Sequence, residues 1–171
     1  MMMTSNDVKG QIVTANFTSH GPMVEYLRTA SSDIVAVQEH RGLRDRLPEI
    51  QPRCADVGYH WIWAPACPTD AGDSSGGVAV AAKSNIMLSA PPGRPEAVLE
   101  EGRMVAAHAH YGVGGGIVII SVYLRTGEGM SAANLATVWR LCEYLMELSS
   151  RGFAWMVGGD FNMEYEDLNA A

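Results

Sequence analysis

The chain has 171 residues, 47% hydrophobic and 18% charged, which gives material for one domain with a sizeable core and excludes a largely disordered chain. A net charge of −7 excludes bulk attraction to nucleic acid, so any phosphate contact has to come from a local basic patch. Cys54, Cys67 and Cys142 are odd in number, far apart and outside any C-x-x-C pair, which argues against a disulfide framework or structural zinc and for reduced thiols in a soluble intracellular protein.

The opening "MMMTSNDVK" lacks the apolar core of a signal peptide, so residues 1–9 are expected to be a disordered tail before one domain over residues 10–171. No apolar run approaches membrane-spanning length, and nothing calls for an oligomer. "QIVTANF" reads as a short buried strand, and "GPMVEYLRTA" as a helix with Pro22 in its first turn. In "SDIVAVQE", Ile34 and Ala36 alternate with Val35 and Val37, so both faces are apolar and the strand is covered on both sides. Pro48 and Pro52 break any long helix in "LRDRLPEIQPRCADVG". "YHWIWAP" and "GGVAVAAK" read as strands around the turn-rich "CPTDAGDSSG", and "SAPPGRPE" as a second polar loop. "RMVAAHAHYG" and "GIVIISVYL" are expected to pair as a hairpin through "GVGG". The clearest helix is "SAANLATVWRLCEYLMELSSRG", capped by Ser131, ended by Gly152, with Leu135, Val138, Trp139, Cys142, Leu145 and Met146 as its apolar stripe. "FAWMV" is the last strand. This order of elements predicts a layered α/β domain.

Four apolar strands finish in a polar residue: Asn16, Glu39, Tyr123 and Asp160, with Asn162 just beyond. Ligands in layered α/β folds sit beyond the carboxyl ends of strands, so convergence of these ends would gather two carboxylates, two amides and a phenol. Hard oxygen donors suit Mg²⁺, with Mn²⁺ as a substitute, rather than zinc. Taken singly, each residue has a plainer reading: Asn16 as a turn residue, Tyr123 as a core aromatic with a wet hydroxyl, Asp160 as a cap for the following turn. Glu39 is less easily explained that way, because an unpaired carboxylate after a fully buried strand is costly.

The ordered set "TAN" with Asn16, "VQE" with Glu39, "GGVAVAAK", "EGRMVAA" with Arg103, "SVYL" with Tyr123 and "GGDFN" with Asp160 and Asn162 resembles the endonuclease/exonuclease/phosphatase superfamily. The resemblance implies a sandwich of two mixed β-sheets flanked by helices, as in deoxyribonuclease I-like proteins, and Mg²⁺-dependent hydrolysis of a phosphodiester in nucleic acid, a phospholipid head group or an inositol phosphate. Glu39 resembles the family's metal ligand and Asn16 the amide supporting it. Asp160 resembles the carboxylate that orients the attacking water, Asn162 the amide that holds phosphate or nucleophile, and Tyr123 the phenol on the phosphate. Arg103 is implied as a phosphate contact or a brace for neighbouring loops. Arg125 stands where the family pattern has a Pro-Asn turn, and an arginine there can grip a phosphate. The family's Ser-Asp-His run is absent. The expectation is therefore an incomplete domain over residues 10–171, missing its last strands and weak or inactive as this chain alone.

Arg41, Arg44 and Arg46 directly follow Glu39 and are candidates for a phosphate-contacting rim, against the plainer reading of a solvated charge run. His108 and His110 share one strand face but lack a third ligand. "GVGGG" lies between two strands with no helix after it, so it is a hairpin turn and not a dinucleotide loop. Two rival readings stay open: a non-catalytic remnant that keeps the fold, and an unrelated α/β oxidoreductase.

Overall fold

The computed structural model describes residues 10–111 and 115–163; the expected tail over residues 1–9 and the centre of the "GVGG" turn lie outside them. In chain order the elements are β1 (Ile12–Asn16), α1 (His20–Thr29), β2 (Ile34–Gln38), α2 (Leu47–Ala55), β3 (Tyr59–Ala64), β4 (Cys67–Pro68), β5 (Ser74–Ser75) and β6 (Val78–Lys83). There follow β7 (Met87–Ser89), β8 (Val98–Glu100), β9 (Met104–His110), β10 (Ile117–Tyr123), α3 (Ala132–Ser150) and β11 (Trp155–Asp160).

Two mixed sheets result. One has the order β1-β2-β6-β3, the other β11-β10-β9-β7 with β8 also on β9. Each contains a single parallel pair among the described strands, β1 with β2 and β10 with β11, joined through α1 and α3 respectively. A parallel pair needs such a crossover, whereas the antiparallel β9–β10 pair can close as a hairpin, as the sequence predicts.

Alternation along the strands sets the layers. Ile34 and Ala36 of β2 face inward with Val78, Val80 and Ala82 of β6, and meet Val105, Ala107 and Ile119 of the other sheet. Val35, Val37, Ala79 and Ala81 face outward against Met23, Val24 and Leu27 of α1 and Ile50 and Cys54 of α2. On the other side Met104, Ala106, Val118, Ile120 and Val122 face Leu141, Tyr144 and Leu148 of α3. Each fully buried Ile or Leu in these layers contributes about 1.5–3 kcal/mol. At Gly158 a Cβ would come within 2.7 Å of Ala36 Cβ, so the last strand approaches the first sheet too closely for any side chain there.

The segment with Pro48 and Pro52 forms no long helix: α2 has nine residues, with Pro48 in its first turn, Pro52 inside it, and Ile50 and Cys54 anchoring it to the core. The proline removes one backbone donor from an element already too short to depend on it. One expectation needs correction: half of the apolar stripe assigned to α3 lies on its outer side, while Val138 and Leu145 pack partly buried against the core. Trp139 and Met146 are each 65% exposed and Cys142 is exposed, while Asn134, Thr137, Leu141, Tyr144 and Leu148 are buried. The inward face begins with two polar residues, which conceal it in the sequence. Thr137 donates to Glu100 Oε1 at 3.0 Å, and Asn134 ties down the loop after β10. Ser131 caps the helix as expected, accepting from the Asn134 amide at 3.3 Å. Among the described residues no helix is long and apolar enough to cross a membrane.

Candidate active site

The carboxyl ends of the two parallel pairs face each other. Asn16 is in register with Gln38, and Tyr123 with Asp160. Two bridges join them. The Asn16 side-chain amide donates to Asp160 Oδ2 across 144 positions of sequence. Buried Gln38 donates to Ser121 Oγ at 2.8 Å and accepts from Thr14 Oγ1 at 3.1 Å, and Ser121 in turn donates to the Val37 carbonyl at 2.7 Å. Paired buried polar groups of this kind fix the alignment of the sheets, because leaving one unpaired costs about 1–3 kcal/mol.

Glu39 follows β2 at φ 59°, Arg41 lies at φ 53° and Asn162 at φ 51°, the positive-φ residues other than glycine among those described. Left-handed backbone at such residues costs roughly 1–3 kcal/mol each, and its clustering at one place marks a site that the surroundings hold in shape. Asp160 Oδ1 accepts the Asn162 backbone N–H at 3.0 Å, and the Asn162 side-chain amide donates to the Leu124 carbonyl at 2.7 Å. The Glu39 carboxylate accepts from Arg41 Nη2 at 2.8 Å, a hydrogen bond that raises the Arg41 pKa above its ordinary value. The Tyr123 and Thr126 hydroxyls are 3.1 Å apart. Burial raises the Tyr123 pKa, as does the nearby Glu39 charge, so the phenol stays protonated and able to donate.

A polar cleft of about 770 Å³ is lined by Glu39, Arg41, Arg103, Tyr123, Arg125 and Asn162, among others. Asn162 also lines a shallower depression of about 430 Å³ that holds Asn16, Gln38 and Asp160. The five residues at the strand ends are therefore brought together, and three of the five candidate arginines join them. The other two depart from expectation. Arg44 lies in an adjoining depression and pairs with Glu101, and Arg46 pairs with Glu49 in the first turn of α2. The chain turns after Arg41, so only the first of the three faces the Glu39 carboxylate. His108 and His110 are remote. Antiparallel pairing puts His108 beside Val118, at the opposite end of β10 from Tyr123, and His108 meets the Gly115 carbonyl at 2.7 Å. Among the described residues no histidine lines either cleft, and no three His, Cys, Asp or Glu side chains gather around one point.

Gln38, Ser121 and Thr126 are site residues that sequence reasoning missed. A lone serine inside the apolar "IVIISVY" was the available signal for Ser121, since a buried hydroxyl has to find a partner.

No protein-family model matches the chain, and no curated protein matches it. Solved structures do. A 3′ phosphatase from Neisseria bound to a product DNA hairpin is 22% identical at a TM-score of 0.61, over 91% of this chain and 58% of that one. An AP endonuclease from Leishmania major is 18% identical at 0.63, over 92% and 58%. TDP2 from Caenorhabditis elegans is 13% identical at 0.62, over 96% and 52%. The chain thus shares the fold of these proteins, a deoxyribonuclease I-like arrangement of two mixed sheets flanked by helices, and it spans little more than half the length of these structures.

Proposed function

We propose that the chain carries the metal-binding and phosphate-binding face of a Mg²⁺-dependent phosphoesterase acting on phosphodiesters, with nucleic acid as the favoured substrate class. The observation that carries this is the meeting of Asn16, Glu39, Tyr123, Asp160 and Asn162 at the carboxyl ends of two facing parallel pairs. A neighbour of the same fold that holds a product DNA hairpin supports the choice of substrate. The donor set fits a hard cation: carboxylates and amides, with Cys67 the one cysteine and no histidine lining either cleft among the described residues. Mg²⁺ commonly takes one or two carboxylates from the protein and the rest of its ligands from water and substrate phosphate, so Glu39 with Asp160 nearby suffices.

Glu39 would hold the metal, displacing or sharing the Arg41 guanidinium. When bound, Mg²⁺ or Mn²⁺ draws charge from a phosphoryl oxygen. Asp160 is oriented from both sides, by the Asn16 amide and the Asn162 N–H, which suits a carboxylate that positions and deprotonates the attacking water. Asn162 keeps one amide proton beyond that given to Leu124, and the Tyr123 hydroxyl supplies a second neutral donor for the developing charge. Among the described residues no imidazole lines the cleft to protonate the leaving group, so slow turnover is expected of this chain.

The test is hydrolysis of a generic phosphodiester with Mg²⁺, together with paramagnetic Mn²⁺ binding. Wild type is expected to turn over slowly and to bind Mn²⁺. Glu39→Gln should lose both, and Asp160→Asn should lose turnover by about 10²–10³-fold while binding Mn²⁺. Turnover insensitive to Glu39→Gln would sink the assignment. Mn²⁺ binding with no detectable turnover favours the remnant reading of this chain.

A further inference from the structure

Arg103 and Arg125 are the two cations of the cleft that Glu39 does not engage. Arg103, only 7% exposed, donates from Nη2 to Ser75 Oγ at 3.0 Å, and its guanidinium lies 5.2 Å from the Tyr123 ring centre. Its Nη1 is buried without a hydrogen-bond partner among the described residues, and so is Nη1 of Arg125. The nearest carboxylate to Arg125 is Glu100, at 3.9 Å, and Glu100 is already held by Arg140 at 2.6 Å. Burial and then the Arg125 charge push the Arg103 pKa down, which reports two like charges held close together.

The position of Arg125 is built. Its backbone N–H donates to Asn134 Oδ1 at 2.8 Å, and its carbonyl accepts from Asn134 Nδ2 at 3.1 Å. Asn134 is fully buried and also holds the Gly129 carbonyl at 2.7 Å. Two neighbouring guanidinium groups, each with a buried donor lacking an acceptor, are costly in an otherwise acidic chain unless an anion completes them.

We infer that Arg103 and Arg125 form a second anion subsite in the Glu39 cleft, which takes a phosphate adjoining the one that is cut. Substrates with two neighbouring phosphates, such as a 5′-phosphorylated dinucleotide, are preferred over those with one. The choice of which phosphate is cut rests on the phosphoesterase reading; the subsite itself does not.

Calorimetric titration of the full chain with inorganic phosphate, in chelator, tests the subsite without catalysis. Saturable binding is expected. Arg125→Gln should weaken it by about tenfold, the loss of one charge-assisted contact. Arg125→Lys, which keeps the charge and loses the planar fork, should weaken it less and serves if the glutamine variant does not fold. Arg46→Gln, outside the cleft, should leave it unchanged. No saturable binding by wild type, or binding by both Arg125 variants equal to wild type, overturns the inference. With Mg²⁺, the dinucleotide bearing a 5′-phosphate should show the higher kcat/KM, and Arg125→Gln should erase that preference; equal values in wild type overturn the adjoining position. Phosphate binding without turnover removes the phosphoesterase reading and leaves the subsite. Turnover without phosphate binding does the reverse.

Discussion

The two halves of the sandwich supply the candidate site in the same way and are covered differently. Each half has a parallel pair, one strand inside its sheet and one at the edge. Glu39 follows the inner strand β2 and Tyr123 ends the inner strand β10, while Asn16 and Asp160 end the edge strands and bond each other. Outside the first sheet two helices and the Trp61–Trp63 stack close the layer. Outside the second, α3 is the one helix among the described residues, joined by Leu99, Phe153, Phe161 and Met163, and its far side shows Trp139 and Met146 to solvent while the edge strand β11 shows Trp155 and Met156. The site's symmetry thus comes from the strands, and its support comes unequally from the helices.

Matched cavities give the largest effect. Leu27 of α1 and Leu148 of α3 are both fully buried, and Leu→Ala at each is expected to cost about 3 kcal/mol in urea unfolding. If α3 only rests on its sheet, Leu148→Ala will cost under about 1 kcal/mol while Leu27→Ala keeps its full effect, and the two halves are then unequal in stability as well as in cover.

Asn134→Ala should follow at about 2–3 kcal/mol, because it strips partners from the Arg125 N–H and from two carbonyls at once. It should also loosen phosphate binding at Arg125. A stability loss with phosphate affinity unchanged would separate the fastening of the loop from the placing of the guanidinium.

Alkaline pH probes both outer layers. Burial raises the Cys54 thiol of the first half from 9.0 to about 12 and the Tyr144 phenol of the second from 10.0 to about 12. A raised folded-state pKa means that the unfolded chain releases its proton first, so stability is complete below about pH 9 and falls as pH rises toward 12. Tyr144 Oη has no hydrogen-bond partner among the described residues. Tyr144→Phe should therefore be neutral or slightly stabilising at pH 7 and should shallow the alkaline loss measured by urea midpoints. An unchanged slope, or a clear loss at neutral pH, would show that the hydroxyl is paired in solution.

The smallest effect is expected on the open side. Trp139→Lys with Met146→Lys should change stability by less than about 0.5 kcal/mol, as for exposed positions generally, and should reduce any self-association seen by sedimentation. A cost above about 2 kcal/mol would mean that this face is covered and that the contrast between the halves is false.

Strand ends were legible in the sequence because burial and polarity conflict there: a carboxylate at Glu39 after five apolar or amide positions has to serve something. The placement of Asp160 and Asn162 was legible for the same reason. The direction of α3 was not, since Trp139, Cys142 and Met146 look more like a core face than Asn134 and Thr137 do; only the loop and Glu100, distant in sequence, give those two polar groups their partners. Short strands β7 and β8 had too few residues for a period to show beside a proline-rich loop. The arginines after Glu39 divided on backbone direction, which the left-handed residues Glu39 and Arg41 set and composition does not reveal.

The Asn134 clamp has a consequence in time as well as in shape. An amide in a surface loop normally trades its hydrogen with water through small local openings. The Arg125 amide is bonded to a side chain rooted in the first buried turn of α3, so it can exchange only when that turn lifts. Its protection in deuterium exchange should track the first turn of the helix and not the neighbouring loop amides, which makes opening of the cleft rim and release of the helix start a single event on a single clock.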